Sequence, residues 1–197
     1  MATPKKHEIS TPFQRHLSFY DLDRNGVIYL SESLRANLSL GREFPVALVS
    51  AIGLQIYYGN TRPFVFGPLN GIDISRISHD QERTMLQNMD FTYRTVGSGF
   101  GRKALVEGSG AATFIDKLHV TGLWALAANA DGLVSVRDVR KCQDGSILWE
   151  IQRRRMNRAD VLPLVRGGPI SVSGHSYFVE KLFGVKVYQA DGRNKTR

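Results

Sequence analysis

The sequence predicts a mostly α-helical protein in which a single EF-hand helix–loop–helix and a degenerate second EF-like loop pack with additional helices around an apolar pocket. Three observations carry this expectation. The run DLDRNGVIYLSE from Asp21 to Glu32 meets the pattern D-x-[DN]-x-[DN]-G-x5-E in full. Farther on, NADGLVSVRDV repeats its sense in weakened form. The segments between them show helical starts and stops rather than period-two alternation. A length of 197 residues with 42% hydrophobic and 22% charged residues is enough to bury a core.

Taken in order, residues 1–10 read as a flexible N-terminus, and residues 11–156 as the main domain. Ser10 is the N-cap candidate of a first helix over 11–20, with Pro12 suited to its first turn. The loop follows, and a second helix leaves near Leu30 and stops at Gly41, so that residues 11–41 form the EF-hand. Phe44 to Tyr58 reads as an apolar helix with little polar face. Pro63 and Pro68 break the chain behind it, and 44–69 reads as an anchor-like segment. Its apolar stretch ends at Gly59, is interrupted by Gln55, and falls short of the roughly 20 apolar residues that span a bilayer. A short hairpin dipping into a lipid surface fits it better.

Ser78 with Gln81 three residues on marks a further helix start. The glycine-rich stretch from Val96 to Gly110 reads as a loop, because Gly97, Gly99 and Gly101 alternate and do not meet the GxGxxG spacing of a dinucleotide site. A helix carrying Trp124 is expected over 111–128, and others over Val136–Lys141 and Ser146–Arg155. The last helix is expected to have Ser173 as its N-cap candidate and Gly184 as its stop. Residues 157–197 form a divergent C-terminal segment.

In the first loop, Asp21, Asp23 and Asn25 supply side-chain oxygens, Gly26 makes the sharp turn, Val27 offers its carbonyl and Glu32 closes the site with both oxygens, a set suited to calcium. Ile28 is the apolar pin to a partner loop. In the second loop, alignment of Gly132 with Gly26 puts Ala127, Asn129, Asp131 and Asp138 at the ligand positions. The first ligand is lost there, the closing one is shortened, and calcium affinity is expected to be poor.

The formal charge of +8 and a pI near 9.8 favour an anionic partner. Arg153 to Arg155 read as a solvated basic helix end, or as a contact for anionic lipid headgroups. No helix-turn-helix, zinc-finger or RNP pattern supports nucleic acid. Cys142 is the only cysteine, which excludes an intrachain disulfide and suits a reducing compartment; it reads as a packing residue. Histidines stand at 7, 16, 79, 119 and 175 with no HxxxH or HExxH grouping, so local spacing supports no zinc site. The GHS at Gly174 to Ser176 is not a GxSxG elbow. The N-terminus has lysines but no apolar run after them, which predicts synthesis in the cytosol.

FQRHLSFYDLDRNGVIYLSE resembles the opening of the caleosin family, in which a histidine precedes a single EF-hand loop and an apolar anchor follows. The order of parts is similar, with IDISRISHD in the place of the family's second histidine region and LWALAANADGLVSVRDVRKCQDGSILWE in that of a later block. The resemblance spans about Thr11 to Glu150. It implies a calcium-binding peroxygenase containing haem b, which takes an oxygen atom from a hydroperoxide and passes it to an unsaturated lipid or specialised metabolite. The haem histidines it implies are His16 and His79, which would also be the catalytic pair. His79 is followed by Asp80, Gln81 and Glu82 where the family carries an HGSD block, and the proline knot is reduced to Pro63 and Pro68. The implied partners are a hydrophobic small molecule or lipid and a lipid-droplet or membrane surface, with no nucleic acid. The implied location is the cytoplasmic side of a lipid droplet or the endoplasmic reticulum, or the cytosol itself.

Two other readings stay open on the residues alone. The scaffold could serve a cofactor-free cyclase or isomerase in which His79, His119 or Asp116 steer a hydrophobic substrate. It could also be a non-enzymatic calcium-binding protein of lipid surfaces.

Overall fold

The computed structural model describes residues 11–58, 71–77, 86, 89 and 99–189. Among these the chain is mainly helical. Helices α1 (Pro12–Ser18), α2 (Leu30–Ser39) and α3 (Phe44–Tyr58) are followed by α4 (Arg102–Gly108), α5 (Phe114–Ala127), α6 (Val136–Gln143), α7 (Ile147–Met156) and α8 (Val172–Phe183). Four two-residue strands join them: β1 (Val27–Ile28), β2 (Ile72–Asp73), β3 (Gly99–Phe100) and β4 (Val134–Ser135).

Local signals account for most boundaries. α1 begins one residue later than expected: Thr11, not Ser10, is the N-cap, accepting from the Gln14 amide at 3.1 Å while the Gln14 side chain accepts from the Thr11 amide at 3.3 Å. Thr113 and Asp116 start α5 in the same reciprocal way. α8 is capped by Ser171 and not Ser173, and Gly184 ends it at φ +65°. Gly41 ends α2 at φ +81°, where a Cβ would also overlap the Tyr188 hydroxyl.

The glycine-rich stretch is not a loop throughout. Gly99–Phe100 pair with Val134–Ser135, and Arg102–Gly108 form α4, because RKALVE supplies strong helix formers and Leu105 has a core to enter. The helix expected from Ser78, the two prolines, His79 and the N-terminal ten residues lie outside the described residues.

Each helix–loop–helix pairs with a strand from the middle of the chain and not with its counterpart. β1 of the first lies antiparallel to β2, with Ile28 opposite Ile72, and β4 of the second lies against β3. Ile28 is thus pinned by Ile72 and not by the second loop. The close approach at β2 requires a glycine ahead of it, since a Cβ on Gly71 would overlap Val27. One core then unites both units, drawing Phe13 and Leu17 from α1, Val120 and Leu126 from α5, and Ile147 and Ile151 from α7. A second cluster seats Val179 of α8, Val187 and Tyr188 against Leu38 and Ala47.

The three consecutive arginines do not form a basic face. Arg153 is exposed and binds Glu150, Arg154 forms a two-bond pair with Asp138, and Arg155 is completely buried. A helix turns 100° per residue, so a run of three like residues necessarily points in three directions. Cys142 is also fully buried, and burial pushes its thiol well above the ordinary value, so it packs rather than reacts.

Glu150 accepts from Arg153 and from Lys141, each at 2.7 Å, and these bonds hold its carboxyl down at about 2. With the folded value below the ordinary 4.5, the unfolded chain takes up the proton first on acidification. The stabilisation is therefore complete above about 4.5 and is lost as pH falls toward 2. Arg153 is 65% exposed, so solvent screens its share. Glu150→Gln is expected to cost about 1–2 kcal/mol at pH 7, and this difference should shrink between pH 5 and pH 3. Urea unfolding across that range measures it, and a pH-independent difference would place the effect in packing.

Candidate functional site

The loop between α1 and α2 gathers side-chain oxygens of Asp21, Asp23 and Glu32 that could hold a cation. Asp21 is buried and accepts from the amides of Asn25 (3.1 Å) and Gly26 (2.9 Å). Asp23 accepts from the Asn25 amide and from its side-chain nitrogen, while Asn25 Oδ1 accepts from the Val27 amide at 2.7 Å. Glu32 reaches back across the loop, Oε1 accepting from Leu22 and Asp23 and Oε2 from Tyr29. One oxygen from each of Asp21, Asp23 and Glu32 lies within 4.8 Å of the others. Burial, and the like charges of Glu32 and Asp23, raise the Asp21 carboxyl above its ordinary value against the pull of the two amides. A bound cation would relieve that repulsion, and Asp21, Asp23, Asn25 and Oε2 of Glu32 keep lone pairs for it.

The second loop has solved the same problem with the protein's own cation. Asp138, at the closing position, is bracketed by Arg154 at 3.2 and 3.3 Å. Asn129 Oδ1 is occupied by the amides of Asp131 and Leu133, and Arg166 binds the carbonyls of Ala128 and Asn129. Trp124 donates to the Gly132 carbonyl at 2.8 Å. Among the described residues, only the first loop gathers three metal-ligating side chains.

His16 stands on α1, one turn before that loop, half-buried with its Nδ1 enclosed. Burial, and the nearby His119, push its imidazole down to about 4. His119 on α5 is also lowered by burial, against the pull of Asp116. Both rings are therefore neutral at pH 7, the form that binds iron or accepts a proton. Each has a buried Nδ1 with no hydrogen-bond partner, although both rings remain only half-buried. The open edge is then that of Nε2. His119 stacks on Tyr58 with centroids 6.2 Å apart and planes 8° apart, and meets Tyr57 edge-on at 5.0 Å. Phe13 packs on Tyr58 at 5.4 Å, and Tyr20 lies 6.3 Å from His16.

Two half-buried neutral imidazoles with aromatic walls suit a haem, whose iron takes imidazole and whose ring takes aromatic and aliphatic contacts. His79 lies outside the described residues, and His119 is the histidine whose charge bears on His16 among those described. Sequence reasoning had His119 only as an acid–base candidate, because a partner 103 positions away on another helix leaves no spacing signal. His175 is buried too, but it sits 3.6 Å from Glu43 and near Tyr188, within the second cluster. Asp116 serves α5 as a cap residue.

No helix among the described residues is long and apolar enough to cross a membrane. Residues 8–102 match the family model described as Caleosin related protein. No solved structure matches the chain.

Proposed function

We propose that this chain, whose residues 8–102 match the family model described as Caleosin related protein, is a member of the caleosin family and a calcium-binding, haem-dependent peroxygenase acting on a hydroperoxide and an unsaturated lipid or specialised metabolite. The observation that carries this reading is the pair of neutral, half-buried imidazoles of His16 and His119, each with an unpartnered buried Nδ1. Haem, when bound, supplies the chemistry that cleaves the O–O bond and delivers oxygen to the acceptor. His16 would hold the iron from a short helix whose far end runs directly into the cation loop, so a filled loop keeps the ligand in place. His119, braced by Tyr57 and Tyr58, would take the hydroperoxide proton at its open Nε2 and return it to the leaving oxygen. Calcium would be held by Asp21, Asp23, Asn25, the Val27 carbonyl and Glu32.

The partner would be lipid, in keeping with α3, where Val49 and Ile56 are 71% and 70% exposed. The same face supports a lipid-droplet or membrane surface as the setting, which we place on the cytoplasmic side.

Absorption spectra of the purified protein after haem supplementation test the reading. A Soret band is expected for the wild type. His16→Ala should lose it, while His119→Ala should retain haem and slow turnover by roughly 10²–10⁴-fold, the range for loss of a general acid–base. No Soret band in the wild type, with turnover retained, would favour the cofactor-free alternative. Haem retained in His16→Ala would move the ligand elsewhere.

A further inference from the structure

Arg42 sits in the elbow between α2 and α3, half-buried, with a side chain that turns inward. Its Nη1 donates to Asn37 Oδ1 at 2.9 Å and to the Ser50 hydroxyl. Both partners are neutral. No carboxylate pairs with it among the described residues, whereas Arg154 has Asp138 and the buried Arg155 has Asp160. Enclosure pushes the Arg42 guanidinium below its ordinary value, and Tyr20 is the one titratable group acting on it in the opposite sense. Tyr20 is in turn the residue beside His16.

With Nη1 held by Asn37 and Ser50, the remaining edge of the guanidinium, Nε and Nη2, makes no hydrogen bond among the described residues. Neither atom is a buried orphan, so both reach accessible space. That edge is the two-pronged face that matches a carboxylate, and a guanidinium is costly to enclose unless an anion meets it. We propose that Arg42 binds the carboxylate of an apolar ligand, either a fatty-acid substrate or a haem through its propionate, with the open Nε and Nη2 edge of its guanidinium. The inference rests on the proposed function for its choice of ligands, but its test reads binding and not turnover.

Purified full-length protein is titrated with oleic acid and methyl oleate, and separately with hemin and its dimethyl ester. Wild type should bind the free acid of one pair at least about tenfold more tightly than the ester, the scale of a charge-assisted hydrogen bond. Arg42→Gln should erase that preference, and Arg42→Lys should keep part of it, since it retains the charge without the fork. Preference within the oleate pair identifies a substrate carboxylate, and preference within the hemin pair identifies a propionate. Equal binding of acid and ester in both pairs, no binding of any of the four, or a preference that survives Arg42→Gln overturns the proposal. If Arg42→Gln does not fold, the wild-type comparison and Arg42→Lys still decide. Absence of a Soret band would sink the peroxygenase reading while leaving the oleate titrations interpretable.

Discussion

Arg155→Met is expected to destabilise the protein by about 3–5 kcal/mol, the range for removing one partner of a buried charge network. Arg155 is 0% exposed. Its Nε donates to the Leu40 carbonyl at 3.3 Å, its Nη2 to the Leu126 carbonyl at 2.8 Å and its Nη1 to the Asp160 carbonyl at 2.9 Å, and it also pairs with the Asp160 carboxylate. Leu40 caps α2 and Leu126 lies in the last turn of α5, so one guanidinium ties the C-terminal end of the exiting helix of the first helix–loop–helix to that of the entering helix of the second, where unpaired carbonyls and helix dipoles favour a cation. Methionine would fill much of the volume but leave three carbonyls and a carboxylate without their donor. Arg155→Lys should recover only a minor part, since a point charge cannot serve three directions. Urea unfolding with a constant m-value measures the loss, and a cost below about 1 kcal/mol would mean that water replaces the guanidinium.

Calorimetric titration should find one calcium per chain, and Glu32→Gln should weaken it by roughly 100-fold or more. Glu32 is the one residue that bridges the start of the loop to α2, and its amide replacement loses the charge and one of the two acceptor oxygens. Asp138→Asn, at the matching position of the second loop, should leave the stoichiometry at one, because Arg154 already occupies that carboxylate. Calcium at about 100 times its Kd should raise stability by about 3 kcal/mol through linkage, and chelation should remove that increment. Two sites per chain, or unchanged affinity in Glu32→Gln, would overturn the assignment of the first loop.

The sequence alone determined the features written in short-range code. The spacing from Asp21 to Glu32, the glycine stop at Gly41, the apolar helix from Phe44 to Tyr58 and the weakening of the second loop all depend on residues within a few turns of one another. His16 was singled out because it precedes that loop in a familiar order of parts. Caps were misplaced by a residue or two where several serines and threonines compete, as at Ser10 and Thr11 or Ser173 and Ser171. The glycines around Gly101 concealed a strand and a helix, since the strand exists only through Val134 and Ser135 from far along the chain.

Only the tertiary structure decided which groups meet. His119 comes within electrostatic reach of His16 because α5 and α1 share one core, and Ile28 finds Ile72 because a strand from the middle of the chain intervenes between the two loops. The arginine run divides into a surface ion pair, a stand-in for a loop cation and a buried tie, because the helix sends each side chain into a different environment. Charge written in a sequence has no direction. For Arg155, partner, burial and therefore role are set by contacts that include one over a hundred positions away, the Leu40 carbonyl.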